Sequence, residues 1–208
     1  MKRIVLLALL ALALPMAAFA DSSIDFGNLT GTLSGSTLGM AMTANLTSVY
    51  GLGGLGLIQG SDLGTISFTL GAFSGTSLLQ SGSFSSVGST FTITSSGVGG
   101  LASGTLFTGS FTGPVTWTVA NPTKTTNQYT LMGTVAGTVY SCPTCVGVKV
   151  AGLSYEITVP MGKGLFGTTG KIGSGDLNVS AVPEPGTLAL LGTGLVGLAE
   201  TLRRKLKS

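Results

Sequence analysis

The chain has 208 residues, a formal net charge of +3, 34 glycines, two cysteines and no histidine, and only 8% of its residues are charged. The missing histidine excludes a Ser-His-Asp triad, a Cys-His nucleophile pair and any imidazole metal site. Between Asp21 and Gly186 six carboxylates stand against four lysines and no arginine, a balance of −2, so the basic character belongs to the two ends and no nucleic-acid partner is expected.

Met1-Lys2-Arg3 forms a positive n-region, Ile4 to Ala17 an apolar core, and Ala18-Phe19-Ala20 a small-x-small cleavage site. Residues 1–20 therefore read as a helical signal peptide, cut between Ala20 and Asp21, and the body leaves the cytoplasm.

Residues 21–181 are rich in Gly, Ser, Thr and Val, and their apolar residues recur with period two. Ile66, Phe68 and Leu70 alternate with hydroxyl residues, as do Phe91 and Ile93. Further rows are Phe107 and Phe111 about Gly109, Val115-x-Trp117-x-Val119, Tyr129 to Val139 on odd positions, Tyr155-x-Ile157-x-Val159, and Leu177-x-Val179. One apolar and one hydroxyl face per run is the mark of antiparallel strands with a wet side. Turn signals such as Gly113-Pro114 and Asn121-Pro122 separate runs spaced by about ten residues, which predicts an all-β antiparallel sandwich of about 9–11 strands. The Gly-dense stretch Leu52–Leu57 fits either a bulged strand pair or a loop.

Cys142-Pro143-Thr144-Cys145 is the only cysteine pair. In an exported chain a disulfide between Cys142 and Cys145 is expected. A redox site of this spacing wants a βαβ context that is absent here, and a zinc site would need two more soft ligands, so no metal is expected. Acid–base work would fall to Asp25, Asp62, Glu156 or Asp176, which read as turn or solvated-face residues, and no catalytic residue is assigned. Gly192-x-Gly194-x-x-Gly197 spells the dinucleotide fingerprint, but inside an apolar run with no preceding strand, so no cofactor is expected.

The last stretch, residues 182–208, orders three features. Val182-Pro183-Glu184-Pro185-Gly186 is a turn that cannot continue a helix. Thr187 to Ala199 is an apolar helix of about 13 residues, short of the roughly 20 that a span needs. Arg203, Arg204 and Lys205 form a basic stop that stays cytoplasmic, leaving the body outside. These residues, with Leu188-Ala189-Leu190-Leu191-Gly192, resemble the bacterial PEP-CTERM sorting signal, also labelled the ice-binding protein C-terminal domain. The resemblance implies transient residence in the inner membrane, recognition by an exosortase (a membrane cysteine transpeptidase) and delivery to the cell surface or beyond.

For the body three roles remain open. The first is a non-enzymatic surface or extracellular-matrix protein, since the resemblance implies an association with extracellular polysaccharide. The second is a carbohydrate-binding module, for which Trp117, Tyr129, Tyr140 and Tyr155 are the candidate platform, Trp117 being in phase with the core. The third is ice binding through Thr90-x-Thr92-x-Thr94 and Thr116-x-Thr118.

Overall fold

The computed structural model describes residues 23–120, 126–142, 144–158, 161–162 and 170–182. In chain order the strands are β1 (Ser23–Ser36), β2 (Gly39–Tyr50), β3 (Ile58–Leu70), β4 (Phe73–Ser74), β5 (Gly82–Phe84), β6 (Thr90–Ser95), β7 (Gly104–Phe111), β8 (Val115–Ala120), β9 (Thr126–Val139), β10 (Val148–Thr158), β11 (Met161–Gly162) and β12 (Gly170–Ala181), with one 3-10 turn at Leu52–Gly54. The signal peptide and the apolar tail helix lie outside the described residues.

All the pairings are antiparallel, and eight strands close on themselves. β10, β12, β1, β2, β3, β6, β7 and β9 are neighbours in that order, and β9 pairs back to β10. The expected sandwich is therefore corrected to a closed barrel. A strand with one buried face has the same period of two in either fold, so alternation could not separate them. The deciding strand is β9, 14 residues long. Along one edge its first half pairs with β8 and its second half with β7; along the other it pairs with β10. Closure removes the unpaired edges that an open sheet would expose. Following paired residues round the wall, from Val139 through Phe107, Ile66 and Gly31 to Thr158, returns to β9 about ten residues from the start, a stagger that fits the tilted strands of a small barrel.

An eight-stranded barrel is just wide enough for its own side chains to fill, and this one is filled. Phe68, Phe91, Phe107 and Phe111 meet edge to face or stacked, with ring centroids 5.5 to 5.7 Å apart. Gly109 and Gly137 face each other across β7 and β9 and leave room for the Phe107 ring; a Cβ on either would lie within 2.8 Å of its Cζ. A second aromatic group sits where β8, β5 and β4 extend the wall: Trp117 stacks on Tyr129 with centroids 4.6 Å apart and meets Phe84 edge-on. Outside, the strands present Thr, Ser and Asn. Apolar inside and hydroxyl outside is the reverse of a transmembrane barrel.

β10 departs from the expected parity. Among its described side chains the buried positions are Val150, Ser154 and Glu156, so Glu156 faces inward where alternation predicts a wet position; the side chains of Tyr155 and Ile157, and all of Val159, lie outside the described residues. Leu52–Leu57 is a loop, entered through Gly51 in the left-handed region at φ 75°, and Leu52 tucks into the core.

Candidate functional site

The β10 exception builds the most chemically loaded place in the barrel. Asn28 on β1, Gly175 on β12 and Glu156 on β10 lie in one cross-strand row. Gly175 has no side chain, and a Cβ there would collide with the Glu156 carboxylate. The carboxylate crosses this gap and accepts a 3.0 Å hydrogen bond from Asn28 Nδ2 at Oε2. Glu156 is 1% exposed and Asn28 2%. Burial, which disfavours the charged form, raises Glu156 to about 8; the Asn28 donor opposes the rise and the nearby Asp176 charge adds to it. Glu156 is thus a neutral acid at pH 7. Asn28 Oδ1 and Ser154 Oγ are enclosed there without a hydrogen-bond partner.

On the outer face of the same strands, Asp176 lies within hydrogen-bond reach of Asp25. Partial burial, most of all, and the hydrogen bond and charge of the neighbouring Asp25 raise Asp176 to about 7. A shallow groove of about 670 Å³ runs alongside, lined by Gly27, Asn28, Ser48, Gln59, Gly175 and Asp176 among others. The wall is irregular here: register shifts fall at Gly27/Asn28, Leu29/Gly31 and Leu46/Ser48, and Thr30 has φ 54°. Bulges of this kind re-aim side chains and interrupt pairing.

Three of the four carboxylates singled out in the sequence therefore come together, and the fourth, Asp62, stands on the exposed start of β3. Sequence reasoning placed Glu156 on a wet face, because the residues flanking it are apolar. No local signal marks it as buried, since its partner Asn28 is 128 positions away. Among the described residues no group of three or more His, Cys, Asp or Glu is arranged to hold a metal ion.

The other sequence-derived sites are placed as follows. Cys142 and Cys145 form a disulfide with Cα atoms 5.1 Å apart, closing the turn between β9 and β10. So short a loop stabilises by about 2 kcal/mol at most. The double variant Cys142→Ser, Cys145→Ser is expected to fold with a midpoint lowered by no more than that; denaturant titration of the two chains checks it. Trp117 and Tyr129 are buried, at 0% and 1% exposure, and Trp117 Nε1 donates to the Leu78 carbonyl at 2.9 Å, so neither belongs to an outward aromatic platform. Tyr140 is half-buried beside Thr92, Thr105 and Thr108 in an outer groove of about 390 Å³. The threonine rows lie on the outer wall, where Thr65 pairs with Thr94 and Thr69 with Thr90 through hydroxyl bonds of 2.7 and 2.8 Å.

Val182 is half-exposed directly after β12. Pro183, Glu184, Pro185, Gly186, Arg203, Arg204, Lys205, Ala18 and Ala20 lie outside the described residues, and so do residues 159–160 and 163–169. A family model described as the PEP-CTERM protein-sorting motif matches residues 181–205. No curated protein and no solved structure matches the chain.

Proposed function

We propose that this chain, a PEP-CTERM sorting-signal protein, is a non-enzymatic surface or extracellular-matrix protein whose barrel works as a structural or adhesive body among extracellular polysaccharide. The sorting motif marks an exported protein that passes through the membrane, is recognised by an exosortase and is directed to the cell surface or the extracellular space. The observation that carries the further step is the pairing of this motif with a barrel filled by its own side chains and walled in hydroxyls. A filled barrel leaves its outer wall for contact, and Ser, Thr and Tyr hydroxyls can exchange hydrogen bonds with neutral sugars. The groove of Thr92, Thr105, Thr108 and Tyr140 supports this reading. The buried Glu156 supports it too, because a side chain 1% exposed does not meet a substrate.

The threonine rows give less support to ice binding. Neighbouring strands of a closed eight-stranded wall turn away from one another, so cross-strand rows curve. Hydroxyls bonded in pairs across strands are also partly occupied.

The test follows the tail. The surface fraction is expected to end upstream of Arg203 and to co-fractionate with extracellular polysaccharide. Glu184→Ala is expected to leave export intact and to accumulate a membrane-bound form larger by the tail. Mass spectrometry of the C-terminal peptide in each fraction reads this out. Surface protein that still carries residues 203–208 would make the tail an anchor, and release without polysaccharide would overturn the matrix role.

A further inference from the structure

We infer that the end of the barrel from which the chain leaves for the sorting motif is a lipid-docking surface, seated in the headgroup layer of the inner membrane's outer face before the tail is processed. The inference rests on the sorting reading and adds a contact which that motif does not specify. Antiparallel pairing brings one set of strand ends together: Ser23, Tyr50, Ile58, Ser95, Gly104, Val139, Val148 and Ala181 all close the same mouth. Three loops lie at it, with described residues 51–57, 96–103, and 141–142 and 144–147, and they pack on one another or on the strand ends. A Cβ on Gly53 would lie 3.0 Å from Ser141 Cβ, and one on Gly99 would lie 2.9 Å from Ile58 Cγ2.

The chemistry of this mouth is unusual for a wall that presents mostly hydroxyls, with Leu29, Met132 and Leu153 its large apolar exceptions among the described residues. Its three loops carry no charged residue. Large apolar side chains stand out from it: Leu55, Leu57 at 60% exposure, Val98 at 51%, and Val146 at 93%, with Tyr50 and Val148 beside them. At the opposite mouth, among the described residues, Leu38 and Val87 stand out singly. Single exposed apolar residues are ordinary, whereas a group at one place marks an interaction surface.

The occupant follows from the chain path. β12 ends at Ala181, where the sorting motif begins. Six Cα–Cα steps lead from Ala181 to Thr187, where the apolar segment starts, and they span at most about 22 Å when fully extended. While the segment is in the bilayer, this mouth is held within that distance of lipid. A tether so short gives an effective concentration on the order of millimolar, at which weak contacts are made. The glycine-rich loop backbones suit the headgroup layer, where water still reaches their N–H and C=O groups, and not the hydrocarbon.

The test uses the exported full chain in vesicles of phosphatidylethanolamine and phosphatidylglycerol, with an environment-sensitive fluorophore on single added thiols. Leu57→Cys and Val98→Cys report this mouth, Leu38→Cys and Val87→Cys the other, and Leu191→Cys the tail. Nitroxide-bearing lipid is expected to quench the labels at 57, 98 and 191 roughly twofold or more and to leave those at 38 and 87 unchanged. Labels at 57 and 98 that stay in water while 191 is quenched would overturn the docking and leave the sorting reading intact. A tail label that is not quenched would remove the tether and the docking with it. Equal quenching at both mouths would deny a preferred end. Shielding of 57 and 98 only when an exosortase shares the vesicle would make the partner a protein and overturn the lipid assignment.

Discussion

Glu156→Gln is expected to abolish most of the loss of stability that the parent chain suffers between pH 5 and pH 9. The folded chain holds the Glu156 proton up to about pH 8, whereas the ordinary value of 4.5 applies once the chain unfolds. Below pH 4.5 both states carry the proton and the full stability is present. From there to about pH 8 the unfolded chain releases a proton that the folded chain keeps, so stability falls as pH rises; above pH 8 the penalty levels off. The shift caps the loss at about 5 kcal/mol, and relaxation of the wall brings the expected figure to about 3–5 kcal/mol. Asp176, raised from 3.8 to about 7, acts in the same direction over a lower window and more weakly, because its carboxyl is only partly buried and solvent screens it. Glutamine keeps an oxygen to accept from Asn28 and has no proton to lose. Denaturant midpoints of both chains at pH 5, 7 and 9 measure the effect. Parallel pH curves for parent and variant would show that Glu156 is not the titrating group.

Trp117→Ala is expected to destabilise the barrel domain by about 3–5 kcal/mol, the range for emptying a buried aromatic site. Three losses combine: the stack on Tyr129 with centroids at 4.6 Å, the edge contact with Phe84, and the donor to the Leu78 carbonyl, which is left without the indole. Trp117 holds the β8–β5–β4 extension against β9, so the first amides to lose protection should be those of residues 82–84 and 115–120. Hydrogen exchange on the variant decides between this local opening and uniform loss across the wall. A midpoint within about 1 kcal/mol of the parent would return Trp117 to the surface role that a sugar platform requires. Both effects are large because each removes a group enclosed on every side, unlike the short disulfide loop.

Much of the wall was legible in the sequence. The rows Ile66–Phe68–Leu70, Phe91–Ile93, Val115–Trp117, Tyr129–Leu131 and Leu177–Val179 all face the core, as their alternation predicts. Period two is a local consequence of strand geometry and survives whatever the strand pairs with. β1 and β2 were harder to see. The bulge about Thr30 resets the parity of β1, and the inner face of β2 is Met40, Met42, Ala44 and Leu46, a set with little β-branching to mark a strand. Of the carboxyl cluster only the members were visible, because Asn28 and Glu156 meet through β12 and not through any run of sequence.

The sequence by itself determined that the body is β, which residues of most barrel strands face inward, and that a PEP-CTERM sorting motif marks the chain as exported. Each of these rests on nearest neighbours along the chain: alternation, turn residues, and an ordered run of turn, apolar segment and basic end. Tertiary structure alone decided that the strands close into a barrel. Closure depends on β9 meeting β7 and β10 together and on the stagger accumulated round eight strands, and neither is written in any single strand. It also decided that Glu156 lies inside. A carboxyl can be buried between apolar neighbours only where a distant strand supplies a gap at Gly175 and a donor at Asn28, and that meeting exists only once the wall has closed.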